Sequence, residues 1–349
     1  MSEDSGVIGT MANLTNCPLN RTLHFRYPLY TAVYSLVLIL GLPLNGISLW
    51  IFFRRLGLRS PPAIYMANLA LSDLLFIISL PLRIYYFATA RWPFGDFMCM
   101  IPGTLFSVNI NSSSLFIGLI SLDRFLAVVY PLRSRALRTP GFARLACGAV
   151  WLLTLAFSIP FAFINMTKLD ECNITQCFDG LDERKWKPAL IIYSVTLGLG
   201  VVIPFIIILF CTVLVIKTLN SQQINSSVFD KQKIILVFVM SLLIYAVCFV
   251  PLYIVLILYS LHKNGYLAHR FYDALPITLC LATVNSCVDP VMYYFTTNAF
   301  LKKKKKKIEL TVTVAADSVS KQSNMRLQNL PSSKMQCGAE PVEKVQSTV

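Results

Sequence analysis

Charge is what this chain has least of. Only 14% of its 349 residues are Asp, Glu, Lys or Arg, against about a quarter in soluble domains. Histidine is scarce as well: His24, His262 and His269 are the only three, and all fall at the ends of apolar runs. No His is therefore placed beside a Ser or Cys nucleophile, as a hydrolase would need. The chain has no Walker loop, no Gly-x-Gly-x-x-Gly after a strand and no Cys-x-x-Cys zinc pattern, and no enzymatic activity is expected. Ten cysteines are too sparse for a disulfide scaffold. Disorder is excluded for most of the chain by a 56% hydrophobic content and a mean hydropathy of +0.63, because disorder needs few apolar residues. So much apolar surface does not fit inside two small soluble cores. An integral membrane protein remains.

Seven apolar runs are long enough to span a bilayer. They are Leu29–Phe53, Ala63–Phe87, Cys99–Val129, Phe142–Ile164, Pro188–Thr218, Lys231–Leu261 and Tyr272–Phe295. None alternates as a barrel strand would, so the fold class is an all-α membrane bundle of seven transmembrane helices. Residues 1–28 form an N-terminal segment without the pattern of a cleaved signal peptide. Residues 29–308 make the helical domain. It ends in a short amphipathic interfacial helix near Asn298–Ile308, which carries Lys302 to Lys307 against the anionic lipid headgroups. Residues 309–349 are polar and expected to be a disordered tail.

Basic residues set the orientation. With the N-terminus outside, the cytoplasmic side holds 21 Lys and Arg against six acids, and the outer side ten against nine. The net charge of +14 is thus a topology signal, not a nucleic-acid footprint. Four glycosylation sequons, at Asn13, Asn20, Asn165 and Asn173, fall outside in this topology. So do Cys17, Cys99, Cys172 and Cys177, where three pairings into two disulfides are open. Five further cysteines lie in the helices and read as small buried hydrophobes. The ending Gln346-Ser-Thr-Val349 fits a PDZ-binding C-terminus, which adds a strand to a domain edge.

Intramembrane charges and amides are the candidate functional groups. Asp73 and Asp289 lie in apolar helices, with Asn45, Asn109, Ser113 and Asn285 at similar depth. Together they fit either a pocket for a small cation and water or interhelical hydrogen-bond glue. Arg83 follows Leu80-Pro81-Leu82 at the outer end of the second run. It fits either snorkelling to the headgroups or a bidentate anion contact at the top of a cavity. Six prolines inside the apolar helices, Pro43, Pro81, Pro160, Pro204, Pro251 and Pro290, mark kinks that open cavities and hinges.

The apolar runs carry, in order, Gly41-Leu-Pro-Leu-Asn45, Asn68-Leu-Ala-Leu-Ser-Asp73, Cys99, Ser121-Leu-Asp-Arg-Phe125, Trp151, Pro204, Cys248-Phe-Val-Pro251 and Asp289-Pro-Val-Met-Tyr293. With these motifs the chain resembles a rhodopsin-like (class A) G-protein-coupled receptor across roughly residues 28–308. It implies a Cys99–Cys177 disulfide, which leaves Cys17 to Cys172. It implies an allosteric sodium and water pocket at Asp73, Asn109, Ser113, Asn285 and Asp289, and no other cofactor. It implies a G-protein switch in which Asp123 holds Arg124 at rest and Tyr293 swings inward on activation. Lys231 stands where many relatives carry an acid that locks the switch arginine.

Within the family the resemblance is to the lysophosphatidic acid receptors, subtype 5 in particular. It rests on Val33-Tyr-Ser-Leu-Val-Leu, Ser79-Leu-Pro-Leu-Arg-Ile-Tyr-Tyr86, Arg91-Trp-Pro-Phe and Glu183-Arg-Lys-Trp-Lys187. The implied ligand is lysophosphatidic acid or a close lysophospholipid. Its phosphate would meet Arg83 with Arg184 or Lys187, with Arg270 nearby, and its chain would lie in a sleeve that includes Tyr86 and Phe106. The implied partners are a heterotrimeric G protein, arrestin and membrane lipids. A receptor for nucleotides or another anionic small molecule is the alternative, since it shares Arg83.

Overall fold

In the computed structural model the described residues are 24–162, 167–169, 174–178, 186–221, 228–267 and 273–292. Seven membrane-length helices run through them: α1 Arg26–Leu56, α2 Pro61–Thr89, α3 Gly95–Val129, α4 Pro140–Ile159, α5 Lys187–Ser221, α6 Lys231–Lys263 and α7 Ala274–Met292. All lie in the unit Met1–Ala299. The interfacial helix and tail expected from the sequence fall outside the described residues. So do Cys17, Cys172, Tyr293, Arg184, Arg270 and the four sequon asparagines.

The helices persist through their prolines because bilayer-length apolar runs leave the backbone no partner except itself. Local defects mark where sequence and helix disagree. α1 closes in a π turn, Phe52–Leu56, stopped by Gly57 at φ +54°. α5 carries a π turn at Leu197–Val202, just before Pro204. Pro204 has no N–H to give the Gly200 carbonyl. That carbonyl instead accepts the Ser114 hydroxyl of α3 and, at 3.3 Å, the Tyr245 phenol of α6. Ser114 and Tyr245 also bond each other, and Tyr245 reaches the Val201 carbonyl at 3.0 Å. One missing donor thus knits three helices together. α6 breaks at Phe249, before Pro251.

α3 runs through the middle of the bundle and packs against α2, α4, α5 and α6, while α2 packs against α1, α3 and α4. Trp151 of α4 donates its indole N–H to Asn68 of α2 at 2.9 Å. One end of the bundle is covered by an antiparallel hairpin, β1 Thr167–Leu169 and β2 Thr175–Cys177, in register Lys168↔Gln176. A disulfide joins Cys177 to Cys99 in the first turns of α3. The hairpin is fixed further where Trp92 donates its backbone N–H to Thr175 at 3.1 Å and where Thr167 bonds the Asp96 carboxylate.

Candidate functional site

Beneath the hairpin is a cavity of about 290 Å³. α1 contributes Arg26, Tyr30 and Tyr34, which helical spacing of four residues brings onto one face. Tyr30 stacks on Tyr34 with centroids 5.4 Å apart. The stripe leads from the rim toward Arg83 of α2. Arg83 is only 6% exposed, so the snorkelling reading does not hold: its guanidinium turns into the bundle. It sits 4.5 Å from the Phe178 ring, 4.9 Å from Phe106 and 6.0 Å from Tyr34. One Nη donates to the Pro102 carbonyl at 2.9 Å, while Nε has no acceptor among the described residues. Among those residues no carboxylate pairs with Arg83. A buried guanidinium held by rings, one carbonyl and the neutral Tyr34 phenol is an incomplete anion site, since a buried charge is costly until paired.

The opposite wall is apolar, made by Leu252, Leu256, Leu275 and Leu279. The floor is polar. There the Tyr253 phenol donates to Asn111 Oδ1 at 2.6 Å, and the Asn111 amide donates to the Ser107 carbonyl at 2.9 Å. Phe106 lines the cavity, but Tyr86 does not. Tyr86 is fully buried, packed among the rings of Tyr27, Phe87, Trp92 and Phe178. Three residues past Arg83, it faces α1 and the hairpin, while Phe87, one full turn on, lines the cavity. Lys187 is exposed at the start of α5 and is not part of the wall.

Deeper in the bundle, α1, α2, α3 and α7 share a polar core. Asp73 Oδ1 accepts from Asn109 at 2.9 Å and from Ser286 at 2.8 Å. Asn109 also reaches Ser113 at 3.3 Å. Asn45 donates to the Ser286 carbonyl at 2.7 Å, and Asn285 donates to Asp289 at 2.8 Å. Three buried oxygens are left without a donor among the described residues: Asp73 Oδ2, Asn45 Oδ1 and Asn285 Oδ1. With Asp73 ionised all three are acceptors, an oxygen set that fits a small hard cation or its water.

At the end away from the hairpin, both Asp123 oxygens are engaged by Arg138, from Nε at 2.9 Å and Nη2 at 3.3 Å. Arg138 follows the 3-10 turn Arg133–Arg135, which is fixed where the Ser134 hydroxyl bonds the Leu126 carbonyl at 3.0 Å. Asp123, expected to serve Arg124, therefore also has a partner fifteen residues further on.

A family model described as 7 transmembrane receptor (rhodopsin family) matches residues 44–293. The chain belongs to that family. The receptor is 41% identical to human (Homo sapiens) lysophosphatidic acid receptor 4 over 285 residues, covering 80% of this chain and 77% of the relative. It is 42% identical to lysophosphatidic acid receptor 6 of Gallus gallus over 290 residues, covering 80% and 94%. It is 36% identical to lysophosphatidic acid receptor 5 of Bos taurus over 296 residues, covering 82% and 80%. Membership makes the chain a multi-pass plasma-membrane receptor and not an enzyme, with a ligand and a G protein as partners.

Four residues of the receptor's sites are not singled out for these roles in the sequence. Arg26 reads there only as part of an outer basic cluster, although its spacing to Tyr30 and Tyr34 signals a shared face. Arg138 reads only as part of the basic loop charge. The Asn111–Tyr253 pair has no sequence signal, because its members lie 142 residues apart.

Proposed function

We propose that the receptor binds lysophosphatidic acid or a close lysophospholipid in the cavity under the hairpin, and that the hairpin end faces outside the cell. One observation carries this reading: Arg83 is buried in the cavity wall with no paired carboxylate among the described residues. A phosphate monoester supplies the missing negative charge and accepts the guanidinium fork bidentately. The relatives' names support the same ligand class. The leucine wall suits an acyl chain, whereas a nucleotide would press a polar base and ribose against it. Arg26, on the same cavity, is placed to draw the phosphate in from the rim. Agonist binding would shift a two-state equilibrium toward a form open to the G protein around Arg124.

The remaining assignments follow from that orientation. The cluster Arg54, Arg55, Arg59, Arg133, Arg135 and Arg144 lies at the end away from the disulfide, which supports a cytoplasmic position for that end. The polar core around Asp73 would hold sodium in the resting form. Asn13, Asn20, Asn165 and Asn173 would carry glycans, and Cys17 would pair with Cys172. The tail from 309 would meet arrestin and, through Val349, a PDZ domain.

The test is G-protein activation in cells expressing the intact receptor, with surface expression measured in parallel. Oleoyl lysophosphatidic acid, lysophosphatidylcholine and a nucleotide panel are compared on the wild type, Arg83→Ala and Arg83→Lys. The expected result is a response to the monoester, with potency falling about 30-fold or more in Arg83→Ala, as for a truncated buried charge pair. Arg83→Lys should recover part of it, since charge returns without the fork. Unchanged potency in Arg83→Ala at normal surface expression would overturn the reading.

A further inference from the structure

The cavity has a cationic end and a polar floor, and the distance between them is short. Arg83 donates to the Pro102 carbonyl, and Asn111 lies nine residues further along the same helix. At 1.5 Å per residue the floor is about 13 Å below the Arg83 level. An extended carbon chain advances about 1.3 Å for each bond of about 1.5 Å. About ten or eleven bonds therefore span the depth. The glycerol phosphate linkage uses six of them, so the floor is met by about the sixth acyl carbon.

What the chain meets there is a tie between helices. Tyr253 of α6 bonds Asn111 of α3 at 2.6 Å, and both side chains are 4% exposed. The Asn111 amide is held by the Ser107 carbonyl, and Gly200 of α5 faces its Oδ1 without a side chain. Tyr253 sits two residues past Pro251, beyond the break at Phe249, so a movement of α6 about that break would carry it away from Asn111 and from Thr196 of α5.

We propose that Asn111 and Tyr253 gauge the length of the ligand's acyl chain. The inference rests on the lysophospholipid reading above and adds to it. A chain that stops above the pair fills the cavity and leaves α6 tied to α3. A longer chain brings methylenes against two hydrogen-bonded polar groups, displaces Tyr253 from Asn111 and releases α6. Short-chain homologues are then blockers, and long-chain homologues are agonists. Arg83 sets affinity for the headgroup, and the floor pair sets efficacy.

The experiment uses the intact receptor in cells and a series of hexanoyl, decanoyl, myristoyl and oleoyl lysophosphatidic acids. Maximal G-protein activation is read for the wild type, Tyr253→Phe, Asn111→Ala and the double variant, with surface expression and displacement of a labelled oleoyl homologue measured alongside. In the wild type the maximal response should step up between about six and about fourteen carbons, with hexanoyl homologue displacing the label without activating. Tyr253→Phe keeps the ring and removes the tie. It should raise basal activity and the hexanoyl response roughly two- to tenfold, the range for one hydrogen bond. Asn111→Ala should do the same, and the double variant should add nothing further. An efficacy profile in Tyr253→Phe and Asn111→Ala identical to the wild type at normal surface expression overturns the gauge, as does a wild-type response independent of chain length. If no homologue binds or activates the wild type, the ligand reading itself fails, and the two failures are distinguishable.

Discussion

Removing Arg138 should destabilise the receptor and quieten it at once. The ion pair is bidentate, at 2.9 and 3.3 Å, between an Asp123 side chain 6% exposed and an Arg138 side chain 22% exposed. At an effective dielectric of about 20, unit charges about 4 Å apart attract by about 4 kcal/mol. Ordering the long arginine side chain takes back up to about 2 kcal/mol, and desolvation of the carboxylate takes a further share. A net coupling of about 1–2 kcal/mol remains. Arg138→Ala is worse than that, because it strands a buried carboxylate, at a cost of about 3 kcal/mol. At about 2.1 cal/mol/K per residue, 349 residues give about 1.4 °C per kcal/mol, so unfolding should come about 4 °C earlier. Asp123→Asn leaves no stranded charge, since Arg138 can turn to water, and should cost about 1–2 kcal/mol. The two variants then part in signalling. Without Arg138, the carboxylate is left to recruit its neighbour Arg124, which offsets part of that cost, and basal activity should fall. Without the carboxylate, Arg124 loses a restraint, and basal activity should rise. The assay is a double-mutant cycle read by thermal unfolding in detergent and by basal G-protein activation in cells. Additive singles within about 0.5 kcal/mol, or basal shifts of the same sign in both variants, would refute the reasoning.

Two further outcomes follow from other contacts. A Cβ on Gly41 would stand 2.8 Å from Ile77 Cδ1 and 3.4 Å from Cys287 Sγ, so Gly41→Ala should cost about 1–3 kcal/mol by overpacking. Adding Ile77→Val, which removes the offending methyl, should recover most of that in thermal unfolding; a double variant no better than Gly41→Ala would refute it. The acceptor-only oxygens around Asp73 predict that sodium weakens agonist binding by favouring the resting form. Agonist displacement curves in sodium and in N-methylglucamine chloride should differ for the wild type and coincide for Asp73→Asn. A sodium shift retained in Asp73→Asn would remove Asp73 from the site.

The seven spans were legible because the bilayer imposes one requirement on all of them. An apolar run of bilayer length has to be a helix. The ends were less legible. α1 begins at Arg26 and α3 at Gly95, three and four residues before their apolar runs, because a helix extends into the headgroup region where polar residues are tolerated. Arg83 and Asp73 were visible as charges in apolar sequence. Tyr86 lies among rings outside the cavity lining, since aromatic character does not say which way a helical face points. The Arg138–Asp123 and Tyr253–Asn111 pairs were not legible, since each couples elements whose approach is set by packing and not by local spacing.

The prolines show why such a bundle can switch. In sequence they mark hinges; in the structure the gap left by Pro204 is filled by Ser114 and Tyr245. Tyr245 and Tyr253 are eight residues apart on α6, about 12 Å, so α6 is tied near its middle by two sets of neutral hydrogen bonds on one side. Phe249 lies between them, its ring 5.0 Å from that of Tyr245. Each neutral hydrogen bond contributes about 1 kcal/mol net, so freeing α6 costs about 2–4 kcal/mol. Burying one methylene contributes about 0.8 kcal/mol. Three to five methylenes that find apolar contact only when α6 has moved are therefore enough to invert the equilibrium. A ligand gains nothing by binding both forms equally well, so the methylenes beyond the floor, not those above it, decide whether a bound lysophospholipid activates.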